Sequence, residues 1–386
     1  MKHYDRAWAE IDLDALHYNI EEIKKSIHRT TQIIAVLKTD GYGHGASQIA
    51  RVLEAEEQVW GFAVATAEEA FALKEGGISK PLLILGYTFP YSYERLIREN
   101  VRSTVFTLET ARELSSAAAK VGKECSVHLK IDTGMTRIGI HPDAEGLSLI
   151  RQIQALPGLK IEGIFTHFAT ADEADRTRAY HQMALFQNYV EQIERELRIK
   201  ISMKHCSNSA GIVEMPEAQM DAVRAGIILY GLWPSDAVQA DEKIRLKPML
   251  SLKSRVVYVK TVPAGQQISY GGTFTTNRNT IVATICIGYG DGYPRSLSNI
   301  GHVLLKGQRA PILGRVCMDQ FMIDVTDLDS PVCVGDQVTL IGTDGTACIT
   351  MEELGALSGR FNYELACDIG KRIPRIYKLD DTLIYE

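Results

Sequence analysis

Residues 14–45 read DALHYNIEEIKKSIHRTTQIIAVLKTDGYGHG, and this stretch contains the unit from which the first two-thirds of the chain is built. Leu16, Ile20, Ile23 and Ile27 recur at helical spacing and fall on one face, as in an amphipathic helix. The run IIAVLKT (33–39) is unbroken and aliphatic, which is the pattern of a strand covered on both faces. Working outward, similar runs follow at GFAVA (61–65), LLILG (82–86), STVFT (103–107), SVHLKID (126–132), IEGIFTH (161–167), ISMKHCS (201–207) and VRAGIIL (223–229), with helix-period segments between them. In one of these segments Thr66 and Glu69 have capping-box spacing and Gly76–Gly77 marks a C-terminal stop. Eight strands alternating with helices over roughly 230 residues predict a (β/α)8 TIM-type barrel, placed at 1–243. A doubly wound open sheet is the alternative, although no GxGxxG follows the first strand.

The pattern changes near residue 244. LKSRVVYVKTV, TIVATICIGY, PILGRVCMDQFMIDV and DQVTLIG alternate in polarity and are separated by PAG, GG, DG and TDGT turns. A second, mostly β domain is therefore expected over 244–386, giving an α/β barrel followed by a β-rich C-terminal domain. Forty-two basic against 48 acidic residues leave a net charge of −6, which argues against a nucleic-acid partner. No apolar run approaches the length of a membrane span, and the charged N-terminus lacks a signal-peptide core. Seven dispersed cysteines without a CxxC read as reduced thiols, so a cytoplasmic protein without a structural metal is expected.

Chemistry concentrates where barrel strands end, the face that carries active sites in such barrels. Lys38 leaves an aliphatic run, so partial desolvation favours a neutral, nucleophilic amine. A solvated strand-end lysine is the alternative. The glycines of DGYGHG permit close backbone approach to a bound group, and Tyr42 lies one turn on. Arg137 and Gly139 follow the fifth strand, His167 ends the sixth, Asn208–Ser209–Ala210 follows the seventh, and Arg224 lies in the eighth ahead of Gly226. His167 beside Phe165 and Phe168 also reads as a core histidine. Arg224 in an apolar run requires an acceptor, because unpaired arginine is almost never buried.

Together AVLKTDGYGHG, LKIDTGMTRIG, IFTHFATADE, HCSNSAG, RAGIILYG, SYGGTF, GYGDGYPR, GRVCMDQFMID and FNYELAC resemble the alanine racemases, fold-type III pyridoxal phosphate enzymes, in order and over nearly the whole chain. The resemblance implies a barrel, a β-rich domain and an N-terminal strand near 7–13 packing with that domain. It implies pyridoxal 5′-phosphate joined covalently to Lys38. Tyr42, Asn208, Ser209, Tyr363 and the backbone of Gly226 and Ile227 would bind around its phosphate, Arg137 would face its phenolic oxygen, and Arg224 would face its ring nitrogen. His167 would support the network. Racemisation needs a proton removed from one face and returned on the other, and the resemblance assigns the D-side to Lys38 and the L-side to Tyr270. Arg137 and the Met318 backbone N–H would hold the substrate carboxylate. Tyr270 and Met318 would come from the partner of a head-to-tail homodimer. Tyr289, Arg295, Asp172 and Arg315 match positions of an entry channel, though surface turns account for them equally well. Lys130 matches a position carbamylated in some members.

Two departures stand out: KTDGYGHG differs from the commoner cofactor segment, and Thr136 stands where glycine is frequent. They leave substrate breadth open, since small pocket changes shift discrimination by only a few kcal/mol. The activity implied is interconversion of L- and D-alanine, supplying D-alanine for peptidoglycan. The alternatives are a serine or broad-spectrum racemase, a basic amino-acid decarboxylase, and a non-catalytic cofactor carrier. Tyr270 and Arg224 argue against the decarboxylase. The added β domain argues against the carrier.

Overall fold

The computed structural model describes residues 6–240, 243–380 and 382–385. Its contacts divide the chain into two units, one of His17–Gly41 and Ala46–Lys247, the other of the described residues in Met1–Leu16, Tyr42–Gly45 and Pro248–Glu386. Strand β1 (Ala7–Asp12) belongs to the second unit.

The first unit contains β2 (Gln32–Val36), β3 (Val59–Val64), β4 (Leu82–Ile84), β5 (Val101–Val105), β6 (Cys125–Lys130), β7 (Leu159–Phe165), β8 (Met203–His205) and β9 (Ala222–Ala225). All neighbouring pairs are parallel, in the order β8-β7-β6-β5-β4-β3-β2-β9. Pairing of β2 with β9 brings the ends of the sheet round, and Arg224 N–H donates to the Ser207 carbonyl at 3.0 Å beside the β8–β9 seam. This is an eight-stranded, nearly closed barrel, which excludes the open doubly wound sheet. Helices alternate with the strands, and their capping follows local sequence. Thr66 Oγ1 accepts from the Glu69 N–H and Glu69 Oε2 accepts from the Thr66 N–H, both at 3.3 Å, ahead of the helix Ala67–Glu75.

The predicted strand VRAGIIL is shorter than its apolar run. It stops at Ala225, and Ile227–Tyr230 form a 3-10 turn that is itself fully buried. Apolar content there reports burial rather than strand, an ambiguity inherent in short runs. IIAVLKT likewise ends as a strand at Val36, two residues before Lys38.

In the second unit β10 (Leu250–Val262) alternates buried and less buried residues and pairs antiparallel with β1, β13 and β17. The remaining strands are β11 (Gln267–Ile268), β12 (Phe274–Thr275), β13 (Thr280–Ile285), β14 (His302–Leu305), β15 (Gln308–Leu313), β16 (Phe321–Asp324), β17 (Gln337–Asp344), β18 (Ala347–Ile349), β19 (Arg375–Leu379) and β20 (Thr382–Tyr385). They form one ten-stranded sheet and the small β11–β12 hairpin. β1 also pairs parallel with β19. Two helices, Met351–Ser358 and Asn362–Asp368, complete the unit; only the first has a clear apolar period in sequence. Among the described residues no helix is long and apolar enough to cross a membrane.

Candidate active site

Lys38 is half-buried, just beyond the end of β2. Directly after it the backbone turns left-handed. Thr39, Asp40, Gly41, Tyr42 and Gly43 all have positive φ, of 57°, 52°, 62°, 51° and 78°. Three of these are not glycine, and each such residue costs about 1–2 kcal/mol. The turn is held by Gly41 N–H to the Leu37 carbonyl (2.8 Å), Thr39 N–H to Glu69 Oε1 (2.5 Å) and Ala46 N–H to Asp40 Oδ1 (2.8 Å). Strain retained at this cost is characteristic of functional segments.

Arg224 at the end of β9 is buried and has no carboxylate partner. Its Nη1 donates to His205 Nδ1 (2.9 Å) and the His205 carbonyl (3.1 Å). Its Nη2 donates to the Thr166 and Cys206 carbonyls (2.8 and 2.9 Å) and to His167 Nδ1 (3.2 Å). Burial pulls this guanidinium down to about 10, and it remains a cation at neutral pH. Its Nε–H takes no partner among the described residues. Burial, then the charges of Arg224, Arg137, Lys130 and Lys38, push the His167 imidazole well below its usual range. His167 is thus neutral. The same electrostatics group Lys38, Lys130, Arg137, His167 and Arg224 as one basic cluster at the strand ends.

Lys130 is buried, donates to the Ile131 carbonyl at 2.6 Å, and lies 5.6 Å from the Phe165 ring centroid. Burial and the nearby Arg224 and Arg137, opposed by Asp132, bring its amine down to about 7. Arg137 is exposed in the loop after β6, where Asp132 Oδ1 accepts from the Gly134 and Thr136 N–H groups (both 3.0 Å). Thr136 there has φ 59°, which explains why glycine suits the position. After β8, Asn208 caps the helix Ser209–Glu214 through its Oδ1 (2.9 Å from Gly211 N). Ser209 Oγ accepts from Gly226 N–H at 3.0 Å. Ile227 opens the 3-10 turn, so its N–H has no acceptor within that turn.

The second unit holds the other predicted residues. Tyr270 follows Ser269, whose backbone (φ 66°, ψ −175°) is in a region few side chains adopt and whose Oγ donates to the Arg315 carbonyl at 2.7 Å. A small core of Val262, Ile268, Val282 and Leu313 supports this segment. Tyr270 is 70% exposed and Met318 53%. Both line a cavity of about 670 Å³ with Ser269, Cys317, Asp319 and Gln320. The Arg315 guanidinium lies beside Gly271, 3.4 Å from where a Cβ would stand. Tyr42 and Tyr363 meet edge to face with centroids 5.9 Å apart. Tyr42–Gly45 is anchored in this unit because Arg375 donates to the Gly43 carbonyl (2.9 and 3.0 Å) and a Cβ at Gly43 would lie 2.1 Å from the Ala366 carbonyl. Tyr289 is exposed, as is Arg295, whereas Asp172 and Arg315 are half-buried.

Sequence reading passed over a group inside the barrel: Arg102, His128, Glu162 and His205. His128 and His205 are fully buried. Their only signal is a polar residue facing inward from a strand whose neighbours are apolar, as with His128 two residues before Lys130 in SVHLK. Glu162 accepts from Arg102 Nε and Nη2 at 2.7 and 3.2 Å. Burial opposes ionisation, but His128 and Arg102 hold its carboxyl down to about 2. Unfolded chains take up this proton near pH 4.5 while the native form resists until about 2. Stability present above pH 4.5 is therefore lost as pH falls towards 2, by at most on the order of 3 kcal/mol. Glu162→Gln should flatten this part of the acid limb of the thermal-midpoint profile; an unchanged limb would show that the ion pair contributes nothing.

The sequence profile of the family described as alanine racemase, N-terminal domain, matches residues 11–234, and that of the alanine racemase C-terminal domain matches 249–377. The alanine racemase of Desulforamulus reducens is 46% identical over 370 residues, 96% of this chain and 98% of its own. The solved alanine racemase of Clostridium difficile 630 superimposes with a TM-score of 0.94 at 40% identity, covering 99% of this chain and 98% of that one. A histidine racemase of Leuconostoc mesenteroides superimposes with a TM-score of 0.88 at 31% identity, covering 98% and 99%.

Proposed function

The chain belongs to the alanine racemase family, and from that premise we propose that it interconverts L- and D-alanine with pyridoxal 5′-phosphate on Lys38 and with Lys38 and Tyr270 as opposed bases. The observation that carries the cofactor reading is Arg224. A buried cation whose Nε–H alone lacks a partner suits an aromatic nitrogen with a lone pair. The family resemblance would have the phosphate held by the hydroxyls of Tyr42, Ser209 and Tyr363 and the main-chain N–H of Gly226 and Ile227; in support, Ser209 Oγ already accepts from Gly226 N–H, the Ile227 N–H has no acceptor in its turn, and Asn208 fixes the Ser209 helix. Bound there, the cofactor supplies a conjugated ring that acidifies the α-proton of an attached amino acid.

The residues of the chain do the rest. Lys38 Nζ would hold the cofactor and would exchange the α-proton of the D-enantiomer. Tyr270 Oη exchanges that of the L-enantiomer. The Arg315 guanidinium, beside Gly271, is a cation next to the Tyr270 turn. Arg137 and the Met318 N–H hold the substrate carboxylate, and neutral His167 steadies Arg224. Lys130, with an amine near neutrality, is suited to react with CO2, forming a carbamate and releasing a proton, and the product would pair with Arg137. Two chains form a head-to-tail homodimer in which each site uses the partner's Tyr270 and Met318, consistent with the exposure of both. Tyr289, Arg295, Asp172 and Arg315 line its entrance. The enzyme acts in the cytoplasm, and its product feeds peptidoglycan.

Arg224 also limits side reactions. Arginine donates and stays charged, so it leaves the ring nitrogen unprotonated and the electron sink weak. Arg224→Glu should strengthen a long-wavelength absorbance band of the bound cofactor and raise amino-group transfer; unchanged spectra and products would reject the role. The whole reading is tested by D/L assay of wild type and Lys38→Ala with alanine. Serine and histidine belong in the same assay, because a histidine racemase shares this fold at 31% identity. Turnover of either as fast as alanine would favour the broad-spectrum reading.

A further inference from the structure

We infer that Glu162, through His128 and His205, is a positioning residue that fixes the direction of hydrogen bonding to Arg224 from the opposite side of the barrel core. Two hydrogen bonds run from Arg224 Nη1 to His205 Nδ1 (2.9 Å) and from His205 Nε2 to His128 Nδ1 (3.0 Å); beyond them His128 Nε2 makes no hydrogen bond among the described residues and faces Glu162 Oε2 at 3.5 Å. One end is a guanidinium, which only donates. The other is a carboxylate, which only accepts. A neutral imidazole has one donor and one acceptor, so only one proton arrangement satisfies both hydrogen bonds and turns an N–H, not a lone pair, towards the carboxylate. Both histidines carry the proton on Nε2, and every N–H points away from Arg224. A proton on His205 Nδ1 would face a guanidinium N–H across 2.9 Å.

Local backbone features build the far end. The register of β6 against β7 slips between Val127–Ile161 and His128–Gly163, leaving Glu162 as an extra residue in β7. The register of β2 against β3 slips likewise, leaving Trp60 extra in β3. Glu162 meets His128 and Arg102, while Trp60 lies 5.5 Å beneath the Arg102 guanidinium and 5.9 Å from the His128 ring. Gly163 leaves the space that His128 fills, since a Cβ there would lie 2.4 Å from Nδ1. His205 is further fixed by stacking on Phe165, with centroids 4.9 Å apart and planes 4° from parallel. These contacts leave Arg224 little freedom except at its Nε–H, the group that meets the ring nitrogen in the function proposed above, on which the kinetic part of this inference rests.

The test uses holoenzyme labelled with nitrogen-15 in its imidazoles. In wild type both buried histidines should be neutral with the proton on Nε2, a readout that does not depend on turnover. Glu162→Gln keeps an acceptor, so it should keep both tautomers and most of kcat. Glu162→Leu removes the acceptor, so it should mix the tautomers and lower kcat about tenfold with KM nearly unchanged. A proton on His205 Nδ1 in wild type would overturn the inference even if Glu162→Leu does not fold. Equal losses in the Gln and Leu variants would also overturn it, since they would make the ion pair with Arg102, not the direction of donation, the source of the effect. So would retained kcat in a folded Leu variant. Failure of the racemase reading itself would show separately, as wild-type holoenzyme without turnover.

Discussion

Replacing Tyr270 by Phe is expected to slow exchange of the L-alanine α-proton by about two to four orders of magnitude, the usual contribution of a positioned acid–base group. Exchange from D-alanine should fall far less, because that proton is assigned to Lys38. The phenol stands on a turn whose position is set by the β11–β12 hairpin, the strained Ser269 and its bond to the Arg315 carbonyl. Removing one oxygen from a side chain that is 70% exposed should leave stability nearly unchanged. The loss can therefore be read as chemistry. Single-turnover deuterium exchange from each enantiomer makes the comparison, and equal losses in both directions would remove Tyr270 from its assigned side.

Lys38→Ala should be the most damaging single change. On the proposed function it removes both the covalent anchor of the cofactor and the base for the D-side, so turnover should fall by at least about four orders of magnitude in both directions. Lys38 is half-buried, and the left-handed turn after it is held by main-chain bonds of Leu37, Thr39 and Gly41 that do not involve its side chain. The variant should thus fold. Added small amines should restore part of the D-side exchange, and activity close to wild type would end the assignment.

Several parts of this arrangement are legible in the residues alone. Unbroken aliphatic runs such as IIAV and LLI mark strands because helices cover one face and the barrel interior the other. Arg224 draws attention because a lone arginine among apolar residues requires acceptors, and the structure supplies five. Other features depend on context. The left-handed turn at 39–43 is signalled only by its glycines, since Thr39, Asp40 and Tyr42 adopt positive φ under tertiary constraint. The shift of IIL (227–229) from strand to 3-10 turn is invisible in an apolar run. The His128–His205–Glu162 group is assembled by two strand bulges, and register slips of one residue leave no trace in hydrophobic period. Tyr270 stands before a Gly-Gly pair like any turn aromatic, so the role proposed for it rests on resemblance alone.

The central claim is one covalent bond at one amine. Borohydride reduction of the purified holoenzyme followed by peptide mapping tests it most directly. The account predicts a single reduced pyridoxyl label on Lys38, in the peptide that continues into TDGYGHG. A label on Lys130 or any other lysine, or no label at all, would contradict it.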